Sequence, residues 1–183
     1  MNLLRILFSF VCGQQHCWVL GGQQLPLCQR CTGLYVGTTI ALALILLFRP
    51  RPAASLYWLH GLFMLFMLPF GFHFVSHGAL MRTFTGALFA IGLVYYLALN
   101  PLTVLHAWKP ATRSAILYYL ALTINFVAIL LWSLRHGGSA AAIVLSCLAF
   151  IGLVALTLLT AANLIFLPVT LRALRAPSAP ALR

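Results

Sequence analysis

The sequence contains no aspartate and no glutamate among its 183 residues, against 11 lysines and arginines. That absence excludes whole families of chemistry. Paired-carboxylate hydrolysis, aspartate-held magnesium, acidic calcium loops, a Ser-His-Asp triad and a carboxylate proton relay all require a residue type that is missing. Chemistry is left to Cys, His, Arg, Lys, Tyr, Ser and Thr. The chain is also poor in charge of any kind. Only 6% of it is charged and 63% is hydrophobic, whereas a soluble domain carries about 25% charged residues. Water does not hold such a chain in solution, and lipid covers its apolar surface without a large protein core.

The net charge of +11 reads as topology and lipid-headgroup charge. The basic residues are scattered through short loops and do not collect on one face, so no nucleic-acid partner is expected. The bilayer is the expected partner, and a second copy of the chain or another membrane protein is compatible with the composition.

Backbone polar groups in hydrocarbon must be paired internally, so the long apolar runs are expected to be helices of about 20 residues. The expected fold is all-α, a polytopic transmembrane bundle of about five spans. They lie near residues 32–48, 56–74, 84–105, 115–134 and 140–168. The unit 32–170 is flanked by an N-terminal interfacial helix with a Cys/His-rich segment over 1–31 and a disordered basic tail over 171–183. Arg49-Pro50-Arg51-Pro52, Lys109-Pro110 and Gly137-Gly138 punctuate the runs. Alternating spans put Arg5, Arg30, Arg82 and Arg135 on one side and Arg49, Arg51, Lys109, Arg113, Arg172, Arg175 and Arg183 on the other. The richer side is expected to be cytoplasmic, with the N-terminus and its cysteines outside.

The same alternation gathers a constellation. Cys12, Cys17, Cys28 and Cys31 fall within twenty residues, with His16 among them. His73 and His77, four apart on one helix face, reach the same side, as does His136. Soft thiolates with imidazoles suit a metal, zinc foremost, held by some of Cys12, His16, Cys17, Cys28, Cys31, His73 and His77. Thiol redox is the alternative: Cys28 and Cys31 begin a helix, whose dipole and Arg30 would lower a thiol pKa, with a quinone as the fitting cofactor. Two structural disulfides are the plainest alternative, and a small transporter or lipid-handling role built on Asn125, Asn163 and Arg82 is a further one. Whether the chain is an enzyme stays open.

Arg30 and Arg82 each precede a Thr-Gly pair at a span entrance, Arg30-Cys31-Thr32-Gly33 and Arg82-Thr83-Phe84-Thr85-Gly86. Both arginines could meet an anion or a lipid phosphate. Gly33, Gly37 and Gly86 are read as helix-packing positions. Cys147 reads as a small buried hydrophobe, and His60 and His106 as interfacial residues facing the cytoplasmic side.

The stretch Leu25-Pro26-Leu27-Cys28-Gln29-Arg30-Cys31-Thr32-Gly33 resembles the signature of a small bacterial membrane-protein family, domain of unknown function 2085, over about residues 12 to 93. Two features depart from that pattern. His16-Cys17-Trp18 stands where the family writes Cys-His-Gln, and Pro69 is followed by Phe70 where an Asp is usual. The resemblance implies a bacterial inner-membrane protein with a Cys-bearing site, and no particular activity.

Overall fold

The computed structural model describes residues 2–13, 15–48, 54–71, 74, 76, 78–104, 115–135 and 137–175. It is 81% helical. A short helix α1 (Asn2–Ser9) leads to two strands, β1 (Cys17–Leu20) and β2 (Gln23–Cys28). Six helices follow: α2 (Gln29–Phe48), α3 (Ala54–Leu65), α4 (Met67–Gly71), α5 (Ala79–Val104), α6 (Ala115–Arg135) and α7 (Ser139–Arg175).

Three helical stretches are long and apolar enough to cross a bilayer: Gln29–Phe48, Ala79–Ala98 and Ser139–Pro168. Leu56–Phe70 and Leu117–Phe126 are shorter apolar stretches. The expected second span is broken by a turn at Phe66 between α3 and α4. The expected third span starts five residues early, at Ala79, and α7 runs past 171 to Arg175.

The N-terminal segment holds an element that an all-α reading does not contain. β1 and β2 form an antiparallel hairpin closed by Gly21 and Gly22, both at positive φ (56° and 75°). Two positive-φ positions in a two-residue loop are what the right-handed strand twist asks for, and glycine adopts them without strain. The register slips between Cys17 and Val19, so Cys17 pairs with Cys28 while Val19 pairs with Gln24. Pro26, which has no N–H to give a ladder, sits in the slipped stretch of β2. Leu25, Pro26 and Leu27 are buried and line a crevice with Leu145, Ser146 and Ala149 of α7. The hairpin therefore plugs one end of the bundle.

α2 is the central helix. Its buried positions include Tyr35, Val36, Ile40, Ala41, Leu44 and Ile45, packed with Ile91, Val94 and Tyr95 of α5 and Ala142, Leu145 and Ala149 of α7. Without a hydrophobic drive between helices in lipid, close approach of backbones supplies the packing. A Cβ on Gly33 would collide with the Thr83 carbonyl, and a Cβ on Gly86 would collide with the Arg30 carbonyl. The two contacts are reciprocal, each glycine lying over the carbonyl three residues before the other. Gly37 lies over Ala87 one turn further along, so α2 and α5 run parallel. The paired Arg/Thr-Gly segments are the two sides of this seam. Asn163 ties α7 to α5 by donating to the Leu97 carbonyl (2.7 Å), and Thr39 ties α2 to α7 through the Leu148 carbonyl (2.7 Å).

Candidate metal centre

Three elements each deliver a thiol to the plugged end. Cys12 follows α1, whose Phe8 is fully buried and stacks on Tyr35 of α2 at 6.3 Å. Arg5 fixes α1 further by donating to Gln24 of β2 (2.6 Å). Cys28 ends β2, and Cys31 lies in the first turn of α2. The sulfurs of Cys12, Cys28 and Cys31 all lie within 4.8 Å of one another. Backbone amides point at two of them. The Cys28 N–H donates to the Cys12 sulfur and the Cys31 N–H to the Cys28 sulfur, each at 3.4 Å. Such amides favour a thiolate over a thiol. No disulfide joins these cysteines.

Cys17 is the cross-strand partner of Cys28 and stands beside the trio, outside the set that shares the 4.8 Å spacing. The His16 imidazole is not among the clustered donors. His16 is exposed, holds a left-handed φ of 54°, and acts through its backbone, its carbonyl accepting the first helical amide of α2 from Gln29 (3.0 Å). His73, His77 and His136 lie outside the described residues.

The expectation of acidified thiols is not met. The Cys12 thiol beside it, with burial, pushes Cys28 above the ordinary 9.0, although Cys31 pulls the other way. Burial likewise raises Cys17. Crowding three ionisable sulfurs outweighs the half-charge of one helix end. Arg30 adds little to the thiols, because its guanidinium is turned to the Phe70 carbonyl (2.9 Å) at the end of α4. Arg82, in the first turn of α5, is half-buried.

Other residues sort differently from the sequence reading. Cys147 is exposed on α7, where lipid would cover it. His60 is fully buried, stacked flat on Tyr95 at 3.9 Å with its Nδ1 2.7 Å from the Leu56 carbonyl. A carbonyl only accepts, so Nδ1 carries the proton and Nε2 is the bare nitrogen. Tyr119 lies 3.5 Å from that Nε2. Gly92, a position without a sequence signal for His60, is what lets α5 approach the His60 backbone.

Residues 12–96 match the family model described as a predicted membrane protein, DUF2085. No curated protein and no solved structure matches the chain. The DUF2085 segment takes in Cys12, the hairpin, α2, α3, α4 and α5 as far as Tyr96, so it holds all three clustered thiols and both sides of the glycine seam. α6 and α7 lie beyond it. The protein is thus a predicted membrane protein of unknown function whose Cys12, Cys28 and Cys31 lie close enough to hold a metal ion.

Proposed function

We propose that Cys12, Cys28 and Cys31 are three ligands of a structural or regulatory zinc site, with Cys17 as the fourth, on the outer face of a five-span protein of the bacterial cytoplasmic membrane. The observation that carries this is the mutual closeness of three sulfurs delivered by three separate elements. A tetrahedral zinc at about 2.3 Å from each sulfur sets the sulfurs about 3.8 Å apart, compatible with three sulfurs that all lie within 4.8 Å of one another. A disulfide would use two of the three and leave the third buried beside it, whereas a metal uses all. The two amide-to-sulfur hydrogen bonds supply the outer support that thiolate ligands need. Cys17, the cross-strand partner of Cys28 in the hairpin, is the fourth donor this reading takes, and His73 or His77 would be the alternative fourth ligand. The raised thiol pKa values of Cys17 and Cys28 weigh against a standing redox nucleophile and quinone-linked exchange. They fit ligands that give up protons only to a cation.

Elemental analysis of the full chain purified in detergent tests this. One zinc per chain is expected, lost in Cys12→Ser and Cys31→Ser, retained in His16→Ala, and weakened in Cys17→Ser. Protein that folds with no stoichiometric metal, or a His16→Ala variant that loses it, would overturn the assignment.

A further inference from the structure

The bundle leaves a narrow apolar recess of about 60 Å³ below the hairpin, between α2, α5, α6 and α7, room for a few methylene groups and not for a whole drug-sized ligand. Trp18 and Leu20 of the hairpin, Gly33 and Val36 of α2, and Phe126 and Ile129 of α6 line it. It continues sideways into a groove of Leu80, Met81, Phe84 and Phe126 that shares Thr83 with the recess. That groove opens between α5 and α6, toward the bilayer.

The few polar groups on its walls are already engaged. The Trp18 indole donates to Thr83 Oγ1 (3.0 Å), and the Thr83 hydroxyl donates to the Ala79 carbonyl (3.1 Å). The Thr32 hydroxyl donates to the Cys28 carbonyl (3.0 Å) and Ser133 to the Ile129 carbonyl (2.7 Å). Water entering this space gains no partner, and neither does a quinone carbonyl, whose burial without a donor is unfavourable. Hydrocarbon loses nothing there.

The mouth of the opening carries the other half of the ligand's chemistry. Thr83 and Ser133 line one recess, so the start of α5 and the end of α6 lie at the same level. Arg82 precedes Thr83 and Arg135 follows Ser133 by two residues. The guanidinium groups of both make no hydrogen bond to another described side chain or carbonyl, and the whole chain holds no Asp or Glu to neutralise them. Their counter-ion must come from outside, and at a membrane surface phosphate is the anion at hand.

We propose that an acyl chain of an anionic phospholipid lies in the groove between α5 and α6 and fills this recess with a short segment near its headgroup, its phosphate at the level of Arg82 and Arg135. The recess shares no lining residue with the thiol cluster. It makes the gap beside α6 a built lipid position, filled on one side by the hairpin's Trp18.

Trp18 is the natural reporter. A full-chain variant with Trp58→Phe, Trp108→Phe and Trp132→Phe leaves Trp18 as the single tryptophan. It would be reconstituted in phosphatidylcholine vesicles holding a minor fraction of chain-brominated phosphatidylglycerol or chain-brominated phosphatidylcholine. Brominated phosphatidylglycerol should quench Trp18 at a mole fraction roughly fivefold lower per arginine than brominated phosphatidylcholine at low salt. Arg82→Gln and Arg135→Gln should each remove about that fivefold preference. Val36→Phe, and separately Leu145→Phe on another helix, fill the recess and should abolish the excess quenching, so the outcome does not hang on one variant folding. Equal potency of the two lipids overturns the headgroup assignment. Quenching that persists in both filled variants overturns the acyl-chain position.

Discussion

Putting a methyl group on Gly33 tests the seam on which the thiol site is mounted. In Gly33→Ala the new Cβ strikes the carbonyl oxygen and carbon of Thr83, both backbone atoms that cannot rotate aside. α2 and α5 must therefore separate. Overpacking of this kind costs about 1–3 kcal/mol. Alanine returns up to about 1 kcal/mol of helix propensity. Because the struck atoms are backbone, the upper part of the range applies, for a net loss of about 2 kcal/mol. Gly86→Ala meets the Arg30 carbonyl and the Leu34 amide and should lose a similar amount. The informative variant is the double one. Once the first methyl has moved the helices apart, the second finds the space already open, so the double loss should fall short of the sum by about 1 kcal/mol, within the range seen for contacting sites. Thermal or denaturant unfolding in detergent micelles, with Gly13→Ala as the control whose Cβ meets nothing, reads these values. A neutral or stabilising Gly33→Ala, or strict additivity in the pair, would refute the reciprocal packing and with it the placement of Cys31 against Cys28.

The thiols offer a pH test. A thiol whose folded pKa is raised contributes stability that is fully present below its unfolded value near 9.0 and lost as pH rises through the folded value. Metal-free protein should then weaken above about pH 9, and at pH 7.5 Cys28 should react with maleimide more slowly than in the detergent-denatured chain. Faster reaction than the denatured control would mark a low-pKa redox thiol instead. Cys147→Ser should change stability by under about 0.5 kcal/mol, since the residue is exposed on α7 and a helical serine can bond back to its own turn. Its metal content should match the parent's, and loss of zinc there would place the site elsewhere. His60→Ala should cost about 3 kcal/mol by leaving a cavity under Tyr95, while His60→Phe, which keeps the ring stack, should cost under about 1.5 kcal/mol. Equal damage from both in an unfolding assay would show that the imidazole nitrogens, not the ring, hold that region.

The bilayer class was legible because composition alone forces it, and the span read over 32–48 was legible because Pro50 and Pro52 punctuate an unbroken apolar run, although α2 starts three residues earlier, at Gln29. The hairpin was not read, although its signal was present. Gly21-Gly22 between Cys17-Trp18-Val19-Leu20 and Gln23-Gln24-Leu25 is a two-residue turn between short strands, but beside a longer span it passes for a linker. His60 looked interfacial because a sequence shows no neighbours. Its burial comes from Tyr95 and Tyr119, brought in from helices far along the chain. Nearness in the chain gathered Cys12, Cys17, Cys28 and Cys31, but neither the closing of only Cys12, Cys28 and Cys31 on one another nor the raised thiol pKa was readable. Helix position is local and readable, whereas crowding by other sulfurs is tertiary.

The tethers around the thiols show why the cluster is more than an accident of folding. Each element that carries a thiol is held by its own contact to the bundle. Phe8 on Tyr35 and Arg5 on Gln24 fix α1 behind Cys12. Trp18 on Thr83 fixes the hairpin that carries Cys17 and Cys28. Gly33 against the Thr83 carbonyl fixes the turn that carries Cys31. Thr83 therefore serves both the strand and the helix, through its hydroxyl and its carbonyl. Thiols mounted in this way are held close without an ion, so a metal, if these cysteines bind one as proposed, would leave little ordering to be done. Cysteines brought together only by being near in sequence would have needed neither α5 nor a buried Phe8, and Cys12 would sit with Cys17, its nearest cysteine in the chain, instead of with Cys28 and Cys31.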